Sequence, residues 1–200
     1  MKLILASASP RRASLIAQAG IPFEVIVPVV SEKVDGGASP EERVRLVAEK
    51  KALAVAGNLK DGFVVAADTI IHEGGRILGK PADRREACEM LRTLAGKRHE
   101  VLTGLVICDT AAQRRESGVE KTFVWMKNLT DRQISAYVAT GEPFDKAGAY
   151  GIQGKAALFI EKIEGCYSNV VGLPLGLLFD LMTYLNVPMW LNGKDGDHAE

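Results

Sequence analysis

The sequence has few cysteines and no excess of charge of either sign. Cys88, Cys108 and Cys166 are odd in number and far apart, which argues against a disulfide framework and a zinc knuckle. Scattered free thiols fit a reducing compartment, so we expect a cytoplasmic protein. Lys and Arg number 25, as do Asp and Glu, and this balance lacks the basic excess of nucleic-acid-binding proteins. We therefore expect no nucleic-acid partner.

Long hydrophobic runs are also missing. The apolar stretch over residues 170–185 is interrupted by Pro174 and Asp180, so it is a poor candidate for a membrane span. The amino-terminal apolar segment is short, and two arginines follow it at once, unlike in a signal peptide. We expect no association with a membrane.

The sequence lacks the usual signatures of histidine-based and dinucleotide-based chemistry. His72, His99 and His198 have neither the spacing of a metal motif nor that of a catalytic triad. The first strand-to-helix turn carries neither a Walker nor a G-x-G-x-x-G glycine pattern, which disfavours an NAD-dependent enzyme.

Capping signals and apolar periodicity predict alternating strands and helices. Helix starts are indicated at Ser9, Ser39, Asp83 and Thr130. The predicted strands cover residues 2–6, 23–27, 63–67, 99–108, 116–127 and 157–163, and the last helix covers 175–185. This order indicates an α/β fold with a mixed, twisted sheet and flanking helices. We expect one domain over residues 1–191 and a mobile tail over residues 192–200.

Two arginines lie where the first strand gives way to a helix, in the stretch LASASPRR. A helix start presents free backbone N–H groups and the positive end of the helix dipole, and guanidinium groups bind phosphate in a bidentate manner. Arg11 and Arg12 therefore predict an anion site, although the exposed first turn of a helix would account for them equally well.

Asp68 ends a run of apolar residues in VVAADTI, a place where ligand-binding groups gather in α/β sheets. A carboxylate there can bind a divalent cation or accept a proton from water, although it could also be a cap. Glu32 reads as an ordinary loop charge and Lys51 as a solvent-facing helical lysine. Lys80 lies between Gly79 and Pro81, so its backbone is restrained and its ammonium group could face a phosphate.

The late segment GEPFDKAGAYGIQG is too rich in glycine to form a regular element, so it predicts a functional loop. The candidate residues thus comprise acids, cations and glycine-rich turns, without a histidine-based nucleophile. This combination suits metal-assisted attack of water on a phosphoanhydride.

Six blocks of the sequence, in order, resemble the Maf proteins, nucleoside triphosphate pyrophosphatases once described as septum-formation inhibitors: LASASPRR, VAADTII, ILGKP, HEVLTG, FDKAGAYGIQG and YSNVVGLPL. They span Leu5 to Leu175. The resemblance implies a fold similar to the inosine triphosphate pyrophosphatases, with an active-site cleft between two lobes. It also implies hydrolysis of a nucleoside triphosphate to the monophosphate and pyrophosphate, a divalent cation (Mg²⁺ or Mn²⁺), and a homodimer.

The resemblance also assigns the site residues. Asp68 falls on the catalytic acid, described as the proton acceptor, and Glu32 falls on a position that handles metal together with it. The other residues associated with metal or phosphate handling are Ser7, Arg12, Lys51 and Lys80. Lys50 stands beside Lys51 and is the alternative alignment at that position.

Base choice separates the branches of the family. The branch acting on dTTP and UTP has arginine after the motif proline, threonine after the catalytic aspartate and glutamine in the late glycine loop. Here these residues are Arg11, Thr69 and Gln153. A glutamine amide offers both a donor and an acceptor, as the imide edge of uracil or thymine requires.

Two other functions remain open at this point. One is a pyrophosphatase for a modified nucleotide such as 7-methyl-GTP, whose branch tends to carry an aromatic residue in place of Arg11 and a glutamate in place of Gln153. The other is a non-catalytic nucleotide-binding protein that regulates division, for which the presence of Asp68, Glu32 and Lys80 would be less necessary.

Overall fold

The computed structural model describes residues 2–34 and 36–189, and within them a seven-stranded mixed sheet forms the centre of the fold. The strands are β1 Leu3–Leu5, β2 Glu24–Val25, β3 Phe63–Glu73, β4 Arg76–Leu78, β5 Arg98–Asp109, β6 Arg114–Met126 and β7 Ile160–Glu164. The helices are α1 Pro10–Gln18, α2 Pro40–Ala56, α3 Arg84–Leu94, α4 Asp131–Val138, α5 Tyr167–Val171 and α6 Leu175–Tyr184. The predicted α/β fold is confirmed.

The sheet has the order β2-β1-β3-β5-β6-β7, and β4 also pairs with β3. β1 runs parallel to β2 and β3, whereas the other pairs are antiparallel. β5 and β6 form a long antiparallel hairpin. No helix in residues 2–34 or 36–189 combines the length and apolar character needed to cross a bilayer.

The predicted helix starts are confirmed, and three of them have side-chain caps. Ser39 accepts a hydrogen bond from Glu42 N at 3.1 Å, and Asp83 accepts one from Glu86 N at 2.8 Å. Thr130 forms a reciprocal capping box at the start of α4. Ser9 differs: its side chain makes no capping bond, and its own N–H donates to Ser7 Oγ.

Some predicted boundaries were wrong. The strand expected over 157–163 begins only at Ile160, because the Glu142 carboxylate accepts hydrogen bonds from the backbone of Lys155 and Ala156 and holds that segment in a 3₁₀ turn. The strand expected over 23–27 is confined to Glu24–Val25, and β3 continues past residue 67 to Glu73. The short helix α5 was not predicted. The tail over 192–200 lies outside the described residues.

The arrangement around β3 creates a gap at one of its edges. β5 pairs with one edge along residues 63–72, so β1 and β4 share the other. β1 pairs with Phe63–Val65 and β4 with Ile71–Glu73. Residues 66–70 lie between these two partners, so Asp68 and Thr69 face a break in the sheet.

Helix α2 covers one face of the sheet, and two apolar clusters cover the other. The α2 face buries Ala48, Ala52, Val64, Ala66 and Val106. On the opposite face, one cluster joins α1 and α6 to the β1 half of the sheet, and the second joins α3 and α4 to the other half. These two clusters form the two lobes beside the gap.

We predict that Gly104→Ala lowers the free energy of unfolding by about 1–3 kcal/mol, because the added methyl group would overlap the α2 backbone at Val44 and Arg45. Urea unfolding measures the change. Gly176→Ala in α6 is the control, since none of the described residues comes within 4 Å of its added Cβ and alanine favours a helix. Equal stabilities of the two variants would contradict the close approach of α2 to β5.

Candidate functional site

A cleft of about 570 Å³ opens at the gap in the sheet. A smaller cavity of about 250 Å³ adjoins it and is lined by the loop between β1 and α1. The structure brings all nine predicted site residues to these two cavities. The larger cleft is lined by Arg11, Arg12, Glu32, Lys51, Asp68, Thr69, Lys80 and Gln153, and the smaller cavity by Ser7.

Lys51 joins the two acidic residues. Its Nζ lies 2.7 Å from Asp68 Oδ1 and 2.7 Å from Glu32 Oε1. Lys51 and Asp68 are both buried, whereas Glu32 reaches in from an exposed loop. Lys50 instead points to the surface, where it donates to the Lys33 carbonyl. Lys51 is therefore the lysine in the cleft.

The helical period explains why α2 buries a lysine. Val44, Val47, Ala48 and Val55 form the buried face of α2, and Lys51 follows three and four residues after Ala48 and Val47. Packing of this face on the sheet brings the Lys51 side chain over β3. A buried ammonium is costly unless it is paired, and here both carboxylates compensate it.

The cations of the cleft keep Glu32 ionised. Partial burial raises the pKa of Glu32, but the hydrogen bond from Lys51 and the charges of Lys51, Lys80 and Arg12 outweigh it. Its pKa therefore lies below the ordinary value. The free energy that this shift contributes to stability is present above the ordinary pKa and is lost as the pH falls through the lowered one.

Arg12 is held by three acceptors within the protein. Its Nε donates to the Gly172 carbonyl at 2.7 Å, NH2 donates to Thr69 Oγ1 at 3.0 Å, and NH1 lies 3.4 Å from Ser7 Oγ. Burial lowers its pKa, although a guanidinium stays charged at neutral pH. These bonds use three of its five N–H groups, so one on each terminal nitrogen has no partner in residues 2–34 and 36–189 and can bind an anion.

Arg11 takes a different direction and pairs with Asp145 across the cleft. NH1 donates to the Asp145 carboxylate and NH2 to its carbonyl. Lys146 holds the other oxygen of the same carboxylate. Burial raises the pKa of Asp145, but its hydrogen bonds from Lys146 and Arg11 lower it to about 2 overall. The pair therefore stays ionised at neutral pH and ties α1 to the glycine-rich segment.

The glycine-rich segment folds over β3 and the turn that carries Lys80. Gly148 N donates to the Gly79 carbonyl at 2.9 Å. Gly148 has φ +64°, a left-handed conformation that favours glycine, and a Cβ there would displace the end of the Ile71 side chain. The next anchor is Tyr150, whose hydroxyl lies 2.7 Å from the buried His99 Nε2. The segment then brings Gln153 to the cleft.

Several lining residues carry no motif of their own in the sequence. Asp145, Lys146 and Tyr150 lie in the segment whose glycine content predicted a functional loop, and that was the available signal. In the sequence, Arg43 resembles any surface arginine of a helix. In the structure it lines the cleft, and its buried Nε has no hydrogen-bond partner within the described residues.

The donor set around Lys51 fits a hard divalent cation. No group of three or more His, Cys, Asp or Glu residues that could hold a metal occurs in residues 2–34 and 36–189. Mg²⁺ commonly takes one or two carboxylates from a protein and completes its shell with water and substrate phosphates. Glu32 and Asp68, which converge on one ammonium group, provide two such carboxylates.

Comparisons with a family model and with curated proteins indicate the same family. The family model described as Maf-like protein matches residues 2–185. A protein of Pelotomaculum thermopropionicum named dTTP/UTP pyrophosphatase is 50% identical over 181 residues, which cover 90% of this chain and 95% of the relative. A Carboxydothermus hydrogenoformans protein of the same name is 50% identical over 179 residues, covering 90% and 96%.

Among solved structures, the Ham1 protein of Staphylococcus aureus is similar at a TM-score of 0.47 and 16% identity, covering 93% of this chain and 98% of that one.

We predict that Lys51→Met raises the pKa of Glu32, because burial would then act against a weaker opposing charge. Carboxyl titration by ¹³C NMR measures the shift. Lys50→Met is the matched control, since it removes the neighbouring charge from the surface. An unchanged Glu32 pKa in Lys51→Met would contradict the ion pair described above.

Proposed function

We propose that this chain, which belongs to the Maf-like protein family, hydrolyses dTTP and UTP to their monophosphates and pyrophosphate. Its relatives with 48–50% sequence identity are named as nucleotide pyrophosphatases, and this enzyme class makes the chain a hydrolase. The finer substrate choice is our proposal for this chain. The observation that carries the proposed hydrolysis is the convergence of Glu32 and Asp68 on Lys51, with Arg12 and Lys80 at the same cleft.

The cations of the cleft suit a triphosphate. Arg12 keeps two unused N–H groups, and the Lys80 ammonium makes no hydrogen bond or ion pair within the described part of the chain. Both line the larger cleft and the smaller cavity, which Ser7 also lines. We assign these three residues to phosphate binding, because phosphoryl transfer depends mainly on positioning and charge neutralisation.

Asp68 is the general base in this proposal. Its Oδ1 is held by Lys51, whereas its Oδ2 makes no hydrogen bond within the described residues. Water attacks the α-phosphorus, its proton passes to Asp68, and the bond from the α-phosphorus to the bridging oxygen breaks as pyrophosphate leaves. Lys51 orients both carboxylates. A divalent cation, Mg²⁺ or Mn²⁺, held by Glu32 and Asp68 would add neutralisation of the triphosphate charge when bound.

We assign base selection to Arg11, Thr69 and Gln153, which all line the larger cleft. A cleft for 7-methyl-GTP would be expected, by the resemblance, to have an aromatic residue and a glutamate at two of these positions. We further propose that residues 1–191 form one catalytic domain and that the protein acts as a cytoplasmic homodimer. Nucleotide-pool house-cleaning, with the link to septum formation that the resemblance implies, is the proposed cellular role.

We predict that the protein releases pyrophosphate from dTTP and UTP in preference to CTP, GTP and 7-methyl-GTP, with Mg²⁺ or Mn²⁺ present. Asp68→Asn should lower this rate by about 10²–10⁴-fold, because the proton acceptor is lost. Asp61→Asn, at an exposed turn before β3, is the control and should keep the rate. Release from another base would overturn the substrate choice, and no release from any would favour a nucleotide-binding protein.

A separate prediction concerns Arg11. Arg11→Tyr should reduce kcat/KM for dTTP and UTP more than for the other nucleotides, since it removes a base-selecting group from the cleft. Steady-state kinetics over the same panel measures the ratio. Arg85→Tyr is the matched control, because Arg85 is also the second residue of a helix but is exposed. An equal loss for every nucleotide would show that Arg11 does not select the base.

A further inference from the structure

A chain of hydroxyl groups runs from the cleft into the core. Arg12 NH2 donates to Thr69 Oγ1 at 3.0 Å, and Thr69 Oγ1 lies 2.9 Å from Thr103 Oγ1. Thr103 Oγ1 in turn lies 3.4 Å from the main-chain carbonyl of Asn169 in α5. Thr69 and Thr103 are direct partners in the β3–β5 register, so the two hydroxyls meet because of the sheet itself.

Two directions are compatible with the ends of this chain. A guanidinium can only donate a hydrogen bond, and a carbonyl can only accept one. In one, the Thr69 hydroxyl donates to Thr103 and the Thr103 hydroxyl donates to the Asn169 carbonyl; in the other, Thr103 donates to Thr69 and Thr69 donates to the Gly172 carbonyl. The two outer bonds are equally long, at 3.4 Å each, but only the first direction leaves Thr69 a lone pair without a partner among the described residues, because Arg12 already donates to the same oxygen.

Thr103 does not reach the cleft. Its side chain is fully buried, on the sheet face that carries the two apolar clusters. Its strand neighbours on that face, Val101 and Leu105, are apolar. A valine would occupy nearly the same volume here, whereas a buried hydroxyl is costly unless it is hydrogen-bonded. The Thr103 hydroxyl is therefore in place to orient the hydroxyl of Thr69.

We propose that Thr103 is a positioning residue for base selection, acting through Thr69. It draws the Thr69 hydrogen inward, so that Thr69 offers the cleft an oxygen lone pair. The ring N–H of uracil or thymine matches such an acceptor, whereas the corresponding ring nitrogen of cytosine is itself an acceptor. This inference rests on the proposed function, because it assumes that a pyrimidine base lies against Thr69.

The test compares kcat/KM for UTP and CTP. Thr103→Val should lower the UTP/CTP ratio about tenfold, because Thr69 could then turn its hydrogen towards the base. Thr103→Ser keeps a hydroxyl and should restore the ratio. Thr122→Val is the matched control: Thr122 is also fully buried and bonded to Asn169, but through the side-chain amide and away from Thr69. It should keep the ratio.

A double-mutant cycle separates positioning from general damage. Thr69→Val should lower the ratio by itself, and Thr103→Val should add nothing in that background. Thr103→Ala replaces the valine variant if the latter does not fold. The proposal is overturned if folded Thr103→Val and Thr103→Ala keep the ratio, if Thr122→Val lowers it equally, or if the effects of Thr69→Val and Thr103→Val add.

Binding measurements separate a failure of this inference from a failure of the proposed function. Calorimetric affinities for UMP and CMP give the same base preference without turnover. If the protein hydrolyses neither UTP nor CTP, the proposed function fails, and the UMP/CMP ratio still decides the role of Thr103. If the unaltered protein prefers neither base in either measurement, the role of Thr103 is overturned.

Discussion

The contact of Lys51 with Asp68 and Glu32 is the constraint around which the cleft is built. A lysine and an aspartate are both buried here, and neither would be stable in that position without the other. Glu32 supplies the second negative charge from a loop that has little regular structure of its own. The ion pair thus fixes α2 against β3 and draws the 26–34 loop over the end of the sheet.

The gap at the edge of β3 determines which groups can meet there. Successive residues of a strand point to opposite faces, so Asp68 points towards α2 and Thr69 towards the side of α1 and α5. One dipeptide therefore serves two parts of the cleft. Asp68 belongs with the acids around Lys51, and Thr69 belongs with Arg12 and the buried hydroxyl of Thr103.

The two neighbouring arginines of α1 also point to different parts of the cleft. Arg12 is held by acceptors from three parts of the chain, whereas Arg11 pairs with Asp145 in the glycine-rich segment. Arg12 is fixed by neutral oxygens and, within the part of the chain that the structure describes, keeps N–H groups for an anion. Arg11 links the first helix to the segment that carries Gln153, and so connects two of the residues to which we assign base selection.

Local chemistry in the sequence determined the α/β order, the helix starts and the family, because caps, apolar periods and motif blocks are properties of neighbouring residues. The motifs also pointed to Asp68, Arg12 and Lys80. Only the tertiary structure decided that Lys51 rather than Lys50 enters the cleft, that Asp145 holds Arg11, and that Thr103 stands behind Thr69. These contacts join residues 17 to 134 positions apart. Their partners are set by strand register and by the face that α2 buries, which no single stretch of sequence contains.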